Sequence, residues 1–225
     1  MYARRGERGL DSRYAYWTSA NLYVYQTRER VLIEALRAAG LLPLTGRPVL
    51  DAGCGDGGVL RDLLRLGATF ADLSGVDLLE ERVERARAAL PGARIDVADA
   101  QALPYEDGSF DLVLAFTLLS SVLDDGVRRR IAAELRRVLR PGGAIVVYDF
   151  WVNPLNRDAR PLKRDDLRSL FPDASIDFRS ATLAPPVVRV LTRLPGGRLA
   201  CALLEVLPFV HTHYIATIRF PTATN

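Results

Sequence analysis

The residues able to do chemistry in this chain gather in a few short runs. The most informative is Val49-Leu50-Asp51-Ala52-Gly53-Cys54-Gly55-Asp56-Gly57-Gly58, an apolar stretch that ends in a carboxylate and breaks into glycines. Gly53, Gly55 and Gly58 match the spacing that lets a backbone turn sharply after a strand and approach a ligand with no Cβ in the way. By itself that spacing suggests a dinucleotide and a nicotinamide-dependent oxidoreductase. Asp51 argues otherwise, because a carboxylate there would repel a pyrophosphate and attract a ligand carrying an ammonium and a sulfonium. Two further acids, Asp77 and Asp99, each follow a β-rich run. Groups able to take a proton are few: Asp149, at the end of another such run, and His211 and His213, the chain's 2 histidines. With imidazoles that scarce and the two cysteines, Cys54 and Cys201, far apart, neither a metal site nor a disulfide is expected.

These residues need a frame, and the alternation of patterns supplies one. Short β-rich runs at 48–51, 74–77, 93–97, 110–116 and 144–150 alternate with helical periodicity at 26–39, 59–64, 80–90 and 127–139. A helix near 164–171 and strands at 176–179 and 212–220 complete the chain. The pattern predicts an α/β fold, Rossmann-like, with a mostly parallel seven-stranded sheet, helices on both faces and an antiparallel last strand. One domain spans 1–225, with a helical arm or lid at 1–40 and an insertion at 180–211.

Taken together and in order, the motifs resemble class I S-adenosylmethionine-dependent methyltransferases of the small-molecule type. The glycine run resembles that family's first motif, Phe110-Asp111-Leu112-Val113 its fourth strand, and Leu139-Arg140-Pro141-Gly142-Gly143 the turn before its fifth. The resemblance implies that S-adenosyl-L-methionine is the cofactor, held at Asp51, Gly53 and Gly55. It implies that Asp77 accepts hydrogen bonds from the ribose hydroxyls, and that Asp99 and the adjacent Ala100 amide hold the adenine. Leu78 and Phe116 fall at positions that border the same cofactor. The alternative readings of the acids are structural, Asp77 as a helix cap and Asp99 as an ordinary loop acid. After the fourth strand, where many small-molecule relatives carry a histidine pair, this chain has Thr117-Leu118-Leu119-Ser120-Ser121.

Methyl transfer from a sulfonium needs alignment above all, and a base only when the acceptor is protonated. Asp149 and His213 are the candidates for that base. Arg28 lies three and four residues before Val31 and Leu32 and so shares their inward face, with Tyr25 beside it. An inward arginine wants an anion, and the methionyl carboxylate is one. Tyr14, Tyr16, Trp17, Tyr23 and Tyr25 then read as a lid over the cofactor, or as packing over the sheet. The segment 184–209, with Arg189, Arg193 and Arg198 beside apolar residues, reads as part of an acceptor pocket, or as a homodimer contact. A sugar, lipid or polyketide-like small molecule is the expected acceptor.

Composition narrows the partners. The chain has 225 residues, 25% of them charged and 49% hydrophobic, with a net charge of +3. All its basic residues but Lys163 are arginine, mostly interleaved with acids as on a salt-bridged helix surface, so nucleic acid is not the expected partner. No apolar run reaches the ~18 residues of a membrane span, and the N-terminus lacks the apolar core of a signal peptide. A cytoplasmic enzyme is expected, with a non-catalytic S-adenosylmethionine-binding protein as the rival.

Overall fold

A computed structural model describes residues 15–152 and 159–221. Seven strands form one sheet in the order β3-β2-β1-β4-β5-β7-β6. They are β1 (Val49–Ala52), β2 (Leu73–Asp77), β3 (Arg94–Val97), β4 (Phe110–Phe116), β5 (Leu139–Phe150), β6 (Ser175–Ser180) and β7 (His213–Arg219). β7 runs antiparallel to both its neighbours, and every other pairing is parallel. The sheet order reverses on either side of β1 and β4, and an open α/β sheet binds ligands at such a switch, outside the carboxyl ends of its strands.

Alternation along the strands sets the two faces. Val49, Leu112, Leu114, Phe116, Val146 and Tyr148 pack with Val31, Leu32, Leu60 and Val83, which come from α1 (Ser19–Ala38), α2 (Gly58–Leu64) and α3 (Glu80–Ala89). The intervening Leu50, Val113, Ala115, Ile145 and Val147 pack with Ile131, Leu135 and Leu167, from α4 (Asp125–Val138) and α5 (Arg164–Leu170). Strands covered on both sides read as near-continuous apolar runs, which is what β4 and β5 show.

Three local features differ from the sequence expectation. α1 begins at Ser19, not near residue 26, because Thr18 caps it by accepting the Asn21 N–H at 3.3 Å. Tyr23 and Tyr25 therefore stand on the helix itself, while Tyr16 and Trp17 precede it; Tyr14 and the rest of 1–14 lie outside the described residues. β5 reaches back through Pro141, Gly142 and Gly143, with a register slip against β4 between Phe110 and Leu112. The segment between β6 and β7 folds as α6 (Pro185–Leu191), α7 (Gly197–Leu204) and a short 3-10 turn.

Candidate functional site

The glycine turn is fastened to the end of β2. Gly53 and Cys54 donate their N–H groups to the Val76 carbonyl at 2.8 and 2.9 Å, and Gly55 donates to Asp77 Oδ2 at 3.0 Å. Gly53 (φ +77°) and Gly55 (φ +54°) both occupy the left-handed region, but their surroundings differ. A Cβ on Gly53 would meet Leu118 Cδ1 at 3.1 Å, so the chain is closed over it. A Cβ on Gly55 would find only Arg82 Nη1 at 3.7 Å. Open space at Gly55 is where a ligand can lie against backbone.

Asp51 sits under that turn with only 1% of its surface exposed, and its Oδ1 accepts no hydrogen bond among the described residues. Burial pushes its carboxyl up to about 8; Arg28 pulls it back, and Asp77 adds to the rise. An orphaned buried carboxyl oxygen is costly unless a partner arrives, and ionising it there requires a donor. A ligand ammonium is such a donor, so the site fits the cofactor that the resemblance implies. Arg28 reaches this place from α1. Its guanidinium is 3.3 Å from Asp62 Oδ2 and lies over the rings of Tyr25, Phe116 and Tyr148 at 4.8, 5.7 and 5.9 Å. The expected inward arginine therefore stands beside the glycine turn, with Asp62 as its resident anion.

Asp77 is a junction. Besides Gly55 it accepts the Leu79 N–H at 3.0 Å, and its own carbonyl accepts the Ala98 N–H at 3.1 Å. Each oxygen keeps one further acceptor position, enough for a pair of vicinal hydroxyls. Neighbouring Leu78 is 57% exposed, an apolar wall with no protein against it. Asp99 accepts both the backbone N–H and the side-chain amide of Gln101, at 2.9 and 2.8 Å, which fixes the loop at buried Ala100.

On the acceptor side the structure separates the two candidate bases. Asp149 is fully buried on the sheet face opposite Tyr148, toward α4. Its Oδ2 accepts the Ser120 N–H at 3.0 Å and its Oδ1 accepts the Phe150 N–H at 2.9 Å. Burial pushes this carboxyl up to about 6. The expectation that Asp149 serves as base is corrected: strand alternation turns it to the sheet face opposite Asp51 and Tyr148, both its oxygens accept backbone amides, and it anchors the loop after β4. His213 faces the other way. It is stacked on Tyr148 at 5.2 Å, set edge-on to Phe150 at 5.8 Å, and its Nδ1 is 2.9 Å from the Thr212 hydroxyl. Burial pulls it down to about 4, so the ring is neutral at pH 7. Between it and the glycine turn, exposed Thr117 takes a left-handed backbone (φ +53°), unusual for a β-branched residue. Among the described residues no group of three or more His, Cys, Asp or Glu side chains converges as a metal site would require.

One residue that the sequence reading passed over ties α1 to the segment between β6 and β7. Glu205, just after α7, accepts from the Tyr23 hydroxyl at 2.7 Å, from the Thr27 hydroxyl at 2.9 Å and from Arg30 at 2.6 Å. The arm and the insertion, expected as separate features, thus meet: Tyr23 packs with Leu183, Val188 and Cys201 in one small apolar cluster. A lone acid inside the most apolar stretch was the signal available in the sequence.

Comparison with known proteins agrees with this geometry. A methyltransferase-domain family model matches residues 49–143. The chain is 35% identical over 155 residues to 27-O-demethylrifamycin SV methyltransferase of Amycolatopsis mediterranei, covering 65% of this chain and 53% of that one. It is 30% identical over 183 residues to norajmaline N-methyltransferase of Rauvolfia serpentina, covering 77% and 61%. The chain thus spans about half the length of the first of these relatives and under two thirds of the second. Among solved structures, the [4+2]-cyclase SpnF superposes with a TM-score of 0.63 at 20% identity, over 87% of this chain and 82% of that one, a likeness of fold. In its motifs, its sheet and these relatives, the chain is similar to the class I S-adenosylmethionine-dependent methyltransferases, and residues 49–143 match a methyltransferase domain.

Proposed function

We propose that this protein methylates a small-molecule acceptor held against Phe116, Tyr148 and His213, on the sheet face that also carries Asp51 and Arg28. The observation that carries the reading is the unpaired, buried Asp51 Oδ1 beside the open side of Gly55. Bound S-adenosylmethionine supplies a methyl group on a sulfonium, whose leaving group is neutral and needs no acid. Asp51 binds the ammonium, and Arg28 stands near enough to exchange part of its contact with Asp62 for the methionyl carboxylate. Asp77 takes the ribose hydroxyls, Leu78 covers one side of the adenine, and the loop fixed by Asp99 presents the Ala100 amide to its edge.

His213 is a positioning group in this scheme. In the neutral tautomer whose Nδ1–H donates to the Thr212 hydroxyl, Nε2 accepts a hydrogen bond from an acceptor hydroxyl or amine. With its pKa pulled down to about 4 it orients the nucleophile better than it deprotonates it. The aromatic rings around it exclude water from the line of transfer. The two relatives named above are an O- and an N-methyltransferase, which supports an acceptor of the same general kind.

A fold alone does not decide a reaction, so the test has two stages. Calorimetry should detect binding of S-adenosylmethionine and of its demethylated product, with no competition from NADH. Methyl-labelled cofactor offered with pooled metabolite fractions should then yield a labelled small molecule. Absence of binding by folded protein would overturn the family's cofactor here. Binding without label transfer to any fraction would favour the non-catalytic reading.

A further inference from the structure

We propose that the paired helices α6 and α7 form a docking surface for an anionic lipid bilayer. Their inner sides, Val188 and Cys201, pack with Tyr23 of α1. Their outer sides are apolar and bare. Val190 on α6 and Leu194 just beyond it are exposed, as are Leu199 and Leu203 on α7 and Val206 after it. These spacings of three to four residues line up along each helix. Two exposed aromatic residues accompany it: Phe209, 74% exposed, closes the segment, and Trp17, 84% exposed, precedes α1, against which α6 packs. A stripe of large apolar residues with aromatic flanks is how a helix settles into a membrane interface.

Charge decides which occupant fits. Between β6 and β7 the segment carries Arg189, Arg193 and Arg198, all exposed, and one acid, Glu205. Glu205 is turned inward and engaged by Tyr23, Thr27 and Arg30, so the outer face presents positive charge alone. Among the described residues Arg198 hydrogen-bonds neutral Gln26, and none of Arg189, Arg193 and Arg198 forms an ion pair. Residues 1–14 are a poor match for this face, because Arg4, Arg5, Arg8 and Arg13 outnumber Glu7 and Asp11. A second copy would bring the same three arginines against these three. An anionic lipid surface complements both the charge and the apolar stripe. No described helix is long and apolar enough to cross a membrane, so the contact is with the surface. The inference goes beyond methyl transfer and does not depend on it.

The test is vesicle flotation of the full chain without cofactor. Vesicles of phosphatidylcholine with about one third phosphatidylglycerol should carry the protein at low salt, and pure phosphatidylcholine should carry far less. Each arginine near such a surface strengthens binding roughly fivefold, so Arg189→Gln, Arg193→Gln and Arg198→Gln together should weaken partitioning about a hundredfold. Leu199→Asp with Leu203→Asp should abolish it while leaving the melting temperature and calorimetric cofactor binding unchanged, since both side chains are exposed. No flotation with phosphatidylglycerol, or equal flotation with both vesicles, would overturn the proposal. So would a dimer in analytical ultracentrifugation that Leu199→Asp dissociates, which would make the face a contact between copies. Any of these failures leaves the methyl-transfer reading standing, because no arm measures turnover.

Discussion

Cofactor affinity should rise with pH through the neutral range, and Asp51 should be the cause. In the free protein its carboxyl, raised to about 8 by burial, is mostly protonated at pH 7. About one molecule in ten then carries the charge that an incoming ammonium needs, and about one in a hundred at pH 6. If the ligand binds only the ionised form, affinity climbs about tenfold from pH 6 to pH 7, or about 1.4 kcal/mol. Arg28 and Asp77 are the charged groups that face Asp51, the first lowering its pKa and the second raising it. Calorimetry with the demethylated product between pH 6 and 7.5 keeps the measurement below the ~7.7–8.0 range of a free α-amino group. Buffers of different ionisation heat should report close to one proton released per ligand at pH 7. Asp51→Asn should bind more weakly and with no slope. The free protein should also lose stability as pH rises from about 4 to about 8, because over that window the folded state holds a proton on Asp51 that the unfolded chain has released. A wild-type affinity flat from pH 6 to 7, or a slope that survives in Asp51→Asn, would refute the reasoning.

Two substitutions test the framework around the site. Glu205→Ala strands the buried hydroxyls of Tyr23 and Thr27, a loss of about 3 kcal/mol in all, with the half-exposed Arg30 adding little; a chain of this size should melt about 6–12 °C lower, and hydrogen exchange should quicken in α6 and α7 first. An unchanged melting curve would mean that the arm and the insertion are held by packing alone. Asp149→Ala leaves the Ser120 and Phe150 amides without acceptors, for a similar ~2–4 kcal/mol, and should leave unchanged the pH profile of whatever turnover remains; a profile that loses its acidic limb, the rise through about pH 6, would restore Asp149 as a base.

Much of this protein was legible in one dimension. The order of strands and helices follows from local periodicity, and the resemblance to methyltransferases rests on short strings, Asp51 with its glycines, Asp77 and Asp99, because backbone-near ligand contacts need particular residues at fixed offsets from strand ends. Contacts between distant segments were not legible. Asp149 and Tyr148 are neighbours in sequence, yet strand alternation sends one toward α4 and the other to the face of Asp51, and what each face meets is decided only when helices pack on the sheet. Glu205 reads as a flaw in an apolar run until the fold brings Tyr23 and Thr27, about 180 residues earlier, to its carboxylate. Arg28 could be assigned an inward face from helical spacing, but its partner Asp62 lies on another helix, and only the close approach of α1 to α2 chose it. Local hydrogen bonding and periodicity depend on near neighbours and so leave a trace in the chain, whereas the pairing of a buried charge depends on what the remaining surfaces leave within reach.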